Sequence, residues 1–309
     1  MQIHRSFDNL YTIKNPVVTT GSFDGVHIGH KVIIKRLNNL AHEINGESVL
    51  ITFHPHPRLV LYPETAGKTL KLINTQREKI YLLEKAGLDH LIIINFTKEF
   101  AQTTSQEFVE DILLGKLHAK KIIVGFNHHF GHNREGDYSY LYKLTRDHNF
   151  EVEEIPEQDL ENETVSSTIT RKAISEGRIQ RANAYLDHHF IMMGELKGGS
   201  QKCRDVGFPT LEMIIEEEIK LVPLEGVYAV SLTCGNLNYR GMLNIKNTNE
   251  SQPSIQVHLF DLEPNHNLIG KLATLIFHKR MRGELILSKS DDLHFQLQKD
   301  KNEIEELIY

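Results

Sequence analysis

The chain has few cysteines, no excess of positive charge and no long hydrophobic run, and each shortage removes a class of protein. Only Cys203 and Cys234 are cysteines among its 309 residues. Two so far apart form neither a zinc pattern nor a disulfide framework. Lys and Arg number 35 against 41 Asp and Glu, a formal net charge of −6, so the basic footprint of a nucleic-acid-binding protein is missing. No run is long enough to span a bilayer, and Met1-Gln-Ile-His-Arg-Ser6 lacks the apolar core of a secretory signal. The expectation is a cytoplasmic protein without nucleic-acid or membrane partners. There is no internal repeat and no low-complexity segment. A chain that is 40% hydrophobic and 25% charged has the balance of a globular protein.

What is present is ordered. Residues 1–187 alternate apolar runs (16–20, 48–53, 90–95, 121–124, 150–155) with helical patterns (75–86, 105–117, 138–147). A further helical pattern carries Ile33, Leu37, Leu40 and Ile44. Apolar strands alternating with helices predict an α/β fold, a doubly wound parallel sheet covered on both faces. Ligands then collect at the carboxyl ends of the strands. From residue 188 to 309 the texture changes to mixed strand-like runs separated by turn residues, predicting a small antiparallel β-barrel. A closing helix is expected over 288–307, with Ser290 as N-cap and Asp291 and Asp292 in its first turn. Its apolar positions (293, 295, 297, 304, 307, 308) form a ragged stripe that leaves the docking face open.

Four segments of the first domain carry chemistry. Gly21-Ser-Phe-Asp-Gly-Val-His-Ile-Gly-His30 joins the first strand to a helix N-terminus, where α/β proteins bind phosphate. Gly25 and Gly29 let backbone approach a ligand. His27 and His30 share one face and can donate hydrogen bonds to a phosphate that gains charge in a transition state. Thr52-Phe-His-Pro-His-Pro57 leaves the second strand as a stiff loop projecting His54 and His56. The glycine-opened loop 125–137 carries Asn127, His128, His129 and His132. Without acidic or thiol partners at helical spacing, it suits contact with adenine or ribose better than a zinc site. Val165-Ser-Ser-Thr-Ile-Thr-Arg171 offers hydroxyls, helix amides and one Arg, here placed in the first helical turn. The segment reads as an ordinary N-cap alone and as a phosphate clamp beside the histidines.

Together these segments resemble the N-terminal domain of the prokaryotic FAD synthetases, which are bifunctional riboflavin kinase/FMN adenylyltransferases. Gly207-Phe-Pro-Thr210 in the second half resembles their riboflavin kinase barrel, so the resemblance covers nearly the whole chain. It implies Mg²⁺-dependent transfer of AMP from ATP to FMN, giving FAD and pyrophosphate. His27 and His30 would stabilise the reacting phosphate. Gly21, Phe23, Asp24, Gly25, Gly29 and Asn127 would shape the ATP pocket. Ser166, Ser167, Thr168 and Arg171 would hold the leaving phosphates, and His54 and His56 would border the flavin. Ile169 stands where the family usually has a basic residue, and His128 replaces a frequent Phe.

In the barrel the resemblance implies a kinase site converting riboflavin to FMN, with Thr210 as metal ligand and Glu212, Gln256, Arg282 and Glu284 around it. Here the chain departs from the family. Glu212 replaces Asn, Cys203 replaces Gly, and 244–250 lacks the family's Gly and Pro. Gln256 stands where the family carries its general-base Glu. An amide takes no proton from the ribityl hydroxyl, so general-base catalysis worth roughly 10²–10⁴-fold is absent. The expectation is an adenylyltransferase (residues 1–187) followed by an impaired kinase barrel (188–309), with ATP and flavins as small-molecule partners. A separate riboflavin kinase supplying FMN, or self-association, stays open. The rival readings are a flavin- or nucleotide-binding regulator that has lost catalysis and another His-x-Gly-His nucleotidyltransferase. The same signature belongs to class I aminoacyl-tRNA synthetases, of whose second motif Leu287-Ser-Lys-Ser290 is a partial echo in the wrong domain.

Overall fold

Six short strands of the first half pair in parallel. They are β1 (Gln2–His4), β2 (Val17–Thr20), β3 (Ser48–His54), β4 (His90–Asn95), β5 (Lys121–Gly125) and β6 (Glu151–Ile155). Their order is β1-β4-β3-β2-β5-β6. The structure, a computed structural model, describes every residue except 9, 127, 161–162, 248–252, 261, 263–266, 286–289 and 309. Successive strand residues face opposite sides. Val18, Val49, Ile51, Ile92 and Ile94 belong to one core cluster, whereas Val17, Leu50, Leu91 and Ile93 belong to the other. Ile34 and Leu37 of helix α1 (Ile28–Glu43) cover the second cluster, with Leu83 of α3 (Gln76–Lys85). A short α2 (Pro57–Leu61) follows β3. The opposite face is covered by α4 (Ser105–Glu107), which continues as a π-helix over Phe108–Lys116, and by α5 (Tyr138–Leu144).

From β2 the chain runs to β3 and β4 on one side and returns to β5 on the other. The carboxyl ends of β2 and β5 therefore flank a topological switch point, where such sheets bind ligands. The expected parallel sheet is present. The sequence reading lacked β1, three residues at a sheet edge, and the small antiparallel pair β7 (Asp159–Leu160) and β8 (Glu163–Thr164).

Contacts divide the chain into two units, Met1–Leu70 with Lys79–Ser166, and Lys71–Glu78 with Ser167–Tyr309. The second unit begins its main segment with α6 (Ser167–Ser175) and α7 (Ile179–Leu186). The helical segment that follows Ser166 is thus two helices, with Gly177 in the left-handed region (φ 72°) between them. Asn183 of α7 ties them to the barrel, donating to the Phe277 carbonyl at 2.9 Å and accepting from the Phe190 amide at 2.7 Å.

The barrel is closed and antiparallel, in the order β10-β13-β12-β11-β14-β9. Its strands are β9 (Ile191–Gly198), β10 (Leu211–Ile214), β11 (Gly226–Cys234), β12 (Leu237–Lys246), β13 (Ser254–Leu259) and β14 (Leu272–Arg282), with a short α8 (Gln201–Asp205) between β9 and β10. Closure leaves no unpaired sheet edge. The last helix is α9 (Ser290–Leu307); the cap expected of Ser290 concerns a side chain outside the described ones. The helix settles the ragged stripe, since Ile304 is fully buried with Phe208, Ala229 and Met242, while Phe295 is 72% exposed.

One buried ion pair stands out in the second unit. Lys220 Nζ meets Glu78 Oε2 at 2.5 Å and the carbonyls of Ile73 and Ile191 at 2.6 and 2.8 Å, with the Phe190 ring beneath it. Glu78 also accepts from the amides of Thr75 and Met193. Every charge is answered, which is the condition for burying such a pair.

Candidate active site

The turn after β2 is built under strain. Phe23 (φ 47°), Gly25 (φ 91°) and Val26 (φ 44°) all adopt left-handed backbone. For the two non-glycine residues this costs about 1–2 kcal/mol each. Burial of Phe23 (3% exposed) and Val26 (1% exposed) in the core offsets that cost. The Ser22 carbonyl is held from two sides, accepting from Thr52 Oγ1 at 3.3 Å and from Lys79 Nζ at 2.7 Å.

This turn delivers the histidines as a pair. The rings of His27 and His30 stack with centroids 3.7 Å apart and planes at 23°, and Phe23 stacks on His30 at 4.4 Å. The Nδ1 atoms of both histidines are buried without a hydrogen-bond partner. Burial pushes His27 down to about 4, and the nearby Asp24 carboxylate opposes this in part. Burial also holds His30 well below the ordinary imidazole value, with charge on His27 and Lys79 adding to the effect. Both rings are therefore neutral near pH 7, each with one N–H to donate. A Cβ added at Gly29 would lie 3.3 Å from the His27 ring, and one at Gly21 would lie 3.0 Å from the Phe23 ring, so both glycines make room for the stack.

The loop after β5 reaches the same switch point. His128 Nε2 lies 3.2 Å from Thr20 Oγ1 at the end of β2, and burial lowers it to about 4. His132 Nδ1 instead pairs with the Ala101 carbonyl, and His129 is exposed. Asn127 lies outside the described residues. His54 is exposed at the end of β3, whereas His56 is the N-cap of α2, its Nδ1 accepting from the Arg58 amide at 3.2 Å. Ser166 precedes α6, and Ser167 and Thr168 open it. Arg171 is the fifth residue of that helix, not in its first turn as the sequence suggested, because the helix begins earlier than its apolar pattern. By contacts Ser166 groups with the first unit, and Ser167, Thr168 and Arg171 with the second.

In the barrel, Cys203, Thr210, Gln256, His258, Arg282 and Glu284 line one cavity. Thr210 Oγ1 accepts from the Ser200 amide and donates to Gln256 Oε1 at 3.2 Å. Gln256 Nε2 donates to Ser254 Oγ, which donates to Glu212 Oε1 at 2.9 Å. The amide is therefore engaged at both ends. Arg282 is clamped by Asp300 of α9 through Nε at 3.0 Å and Nη2 at 2.5 Å, while Glu284 lies 3.6 Å from Lys246. Sequence reasoning missed Lys79, Thr20 and Asp300. Only Asp300 left a trace, as an acid among the apolar positions of α9.

The profile of the FAD synthetase family matches residues 11–169, and that of riboflavin kinase matches residues 186–308. Similar curated proteins are the bifunctional riboflavin kinase/FMN adenylyltransferases of Listeria monocytogenes (31% identical, covering 95% of this chain and 92% of that one) and Haemophilus influenzae (30%, 97% of each). That of Escherichia coli K12 is 29% identical over 92% of this chain and 90% of its own length. A solved structure titled as a macrolide-efflux protein from Streptococcus pneumoniae shares the fold across 98% of both chains, with a TM-score of 0.87 and 26% identity.

Proposed function

The chain belongs to the FAD synthetase family of bifunctional riboflavin kinase/FMN adenylyltransferases, and on that premise we propose how its residues make FAD. A phosphate oxygen of FMN attacks the α-phosphorus of ATP, the bond to the β-phosphate oxygen breaks, and pyrophosphate leaves. No side chain is alkylated or phosphorylated, so catalysis is positioning and charge stabilisation. The carrying observation is the stacked, neutral His27–His30 pair on a strained turn at the switch point. Their N–H groups, with the uncapped amides at the start of α1, donate to oxygens of the α-phosphate as charge builds.

Ser166, Ser167, Thr168 and Arg171 hold the β- and γ-phosphates, with Phe23, Asp24, Gly25 and Asn127 around the nucleotide. His54, exposed at the strand end, borders the flavin. His56 is committed to its cap and serves the loop's shape. Mg²⁺ fits a site whose turn carries a single carboxylate, Asp24, because this ion keeps its waters and arrives on phosphates. When bound, beside Asp24 and the Ser166–Thr168 hydroxyls, it would supply positive charge that offsets the charge of the phosphates. Functionally, residues 1–187 carry this reaction in a cytoplasmic setting.

The barrel, residues 188–309, keeps a cavity at this position but loses kinase turnover. Gln256 cannot accept the proton of the ribityl hydroxyl, and its amide is already bonded to Thr210 and Ser254. Thr210, the candidate metal ligand, has its hydroxyl engaged by Ser200 and Gln256. A separate riboflavin kinase then supplies FMN. A regulator without catalysis is not favoured, since curated relatives along nearly the whole chain are enzymes.

A paired assay tests this, with Mg²⁺-ATP and either riboflavin or FMN, and products separated by chromatography. FAD from FMN alone is expected. FAD from riboflavin at a comparable rate overturns the kinase reading, and no FAD from FMN overturns the whole.

A further inference from the structure

Lys79 sits in α3 between Glu78 and Ile80, and nothing in its sequence surroundings marks it. The structure buries it (5% exposed) and turns its ammonium towards the histidine turn rather than to water. Lysines are almost never buried without a task, because the ammonium gives up strong hydration. Its bond to the Ser22 carbonyl pins the residue just before the first left-handed position, Phe23. That carbonyl anchors the segment whose strained backbone sets the Phe23–His30–His27 stack.

The electrostatics point the same way. Besides burial, the Asp24 carboxylate acts on His27, and His27 and Lys79 act on His30. With both imidazoles neutral at rest, they bring no full positive charge to a polyphosphate. Lys79 brings an ammonium, and its charge raises the cost of protonating His30.

We propose that Lys79 is a positioning residue for AMP transfer, its ammonium clamping the Ser22 carbonyl so that the strained turn holds His27 against His30, and placing a positive charge beside them for the triphosphate. The proposal rests on the AMP-transfer reading above, and it concerns a residue outside the motifs that led to that reading.

The test uses the full chain with Lys79→Met and Lys79→Arg. Turnover of FMN to FAD is measured from pH 5 to 8, and the His30 ring is titrated by NMR without substrate. Lys79→Met should lose turnover by roughly 10²-fold, the scale of removing one preorganised donor. Its His30 should titrate at higher pH than in the parent, since a repelling charge is gone. Lys79→Arg should recover most of the turnover and leave the His30 titration low. Unchanged turnover in Lys79→Met overturns the proposal. So does a loss that Lys79→Arg fails to rescue while His30 does not move, which would mark a merely structural lysine. Should Lys79→Met not fold, Lys79→Gln takes its place with the same two readouts. A parent chain that makes no FAD refutes the AMP-transfer reading instead, and the His30 titration still decides whether Lys79 governs the pair.

Discussion

Replacing His27 by Gln should make the protein less sensitive to acid, by an amount the structure sets. His27 is 7% exposed and its folded-state value lies near 4, against 6.5 for an ordinary imidazole. Between these values the unfolded chain binds the proton and the folded chain does not, so stability is lost as pH falls from about 6.5 towards 4. Between pH 7 and pH 5 the linkage from this one group amounts to about 2 kcal/mol. His128, lowered to about 4 by its own burial, acts in the same direction. The assay is urea unfolding of the parent and of His27→Gln at pH 7 and pH 5. The parent should lose more stability over that interval, with a difference between the two proteins of about 2 kcal/mol. Parallel losses would refute the reasoning, because they would mean that His27 is not held neutral by burial. The same assay bears on mechanism, since a His27 already protonated near pH 7 would be a cation rather than a neutral donor to the phosphate.

Four other outcomes follow from the same structure. Gln256→Glu should raise conversion of riboflavin to FMN, by up to roughly 10²–10⁴-fold if the missing base is the main defect; chromatography of the flavins reads it, and no gain would place the defect elsewhere in the cavity. Lys220→Met should destabilise the second unit by about 3–5 kcal/mol, because the Glu78 carboxylate stays buried without its cation. The double variant with Glu78→Gln should recover part of that loss in denaturant midpoint. Gly29→Ala should lower FAD formation about tenfold with little change in melting temperature, since a Cβ 3.3 Å from the His27 ring crowds the stack more than the fold. ATP binding should take up protons near pH 6, because phosphate charge raises both lowered imidazoles. Calorimetry in buffers of different ionisation enthalpy measures this, and a buffer-independent heat would contradict it.

Much of the architecture is readable along the chain. The runs at 48–53 and 90–95 are apolar throughout because both sheet faces are covered, and the mixed runs after 190 belong to a barrel with one wet face. What escaped were elements too short for a pattern, such as β1 and β10, and the break at Gly177, where one glycine splits an otherwise continuous apolar period. The histidine turn, the Ser-Ser-Thr segment and the substitution at Gln256 were legible for the same reason. Each is a local string whose chemistry lies in residue type and spacing.

The sequence by itself determined the layers, the histidine-bearing glycine turn and the Gln in the barrel at 256, since these depend on residue types within a few positions. Only the tertiary structure decided that His27 and His30 stack as neutral rings, that Lys79 reaches back 57 residues to the Ser22 carbonyl, and that Lys220 meets Glu78 across 142. It also decided that Asp300 holds Arg282 at the barrel cavity. The physical reason is that protonation state and side-chain aim are set by burial and by charges brought close through folding. Neither quantity exists until distant parts of the chain have met.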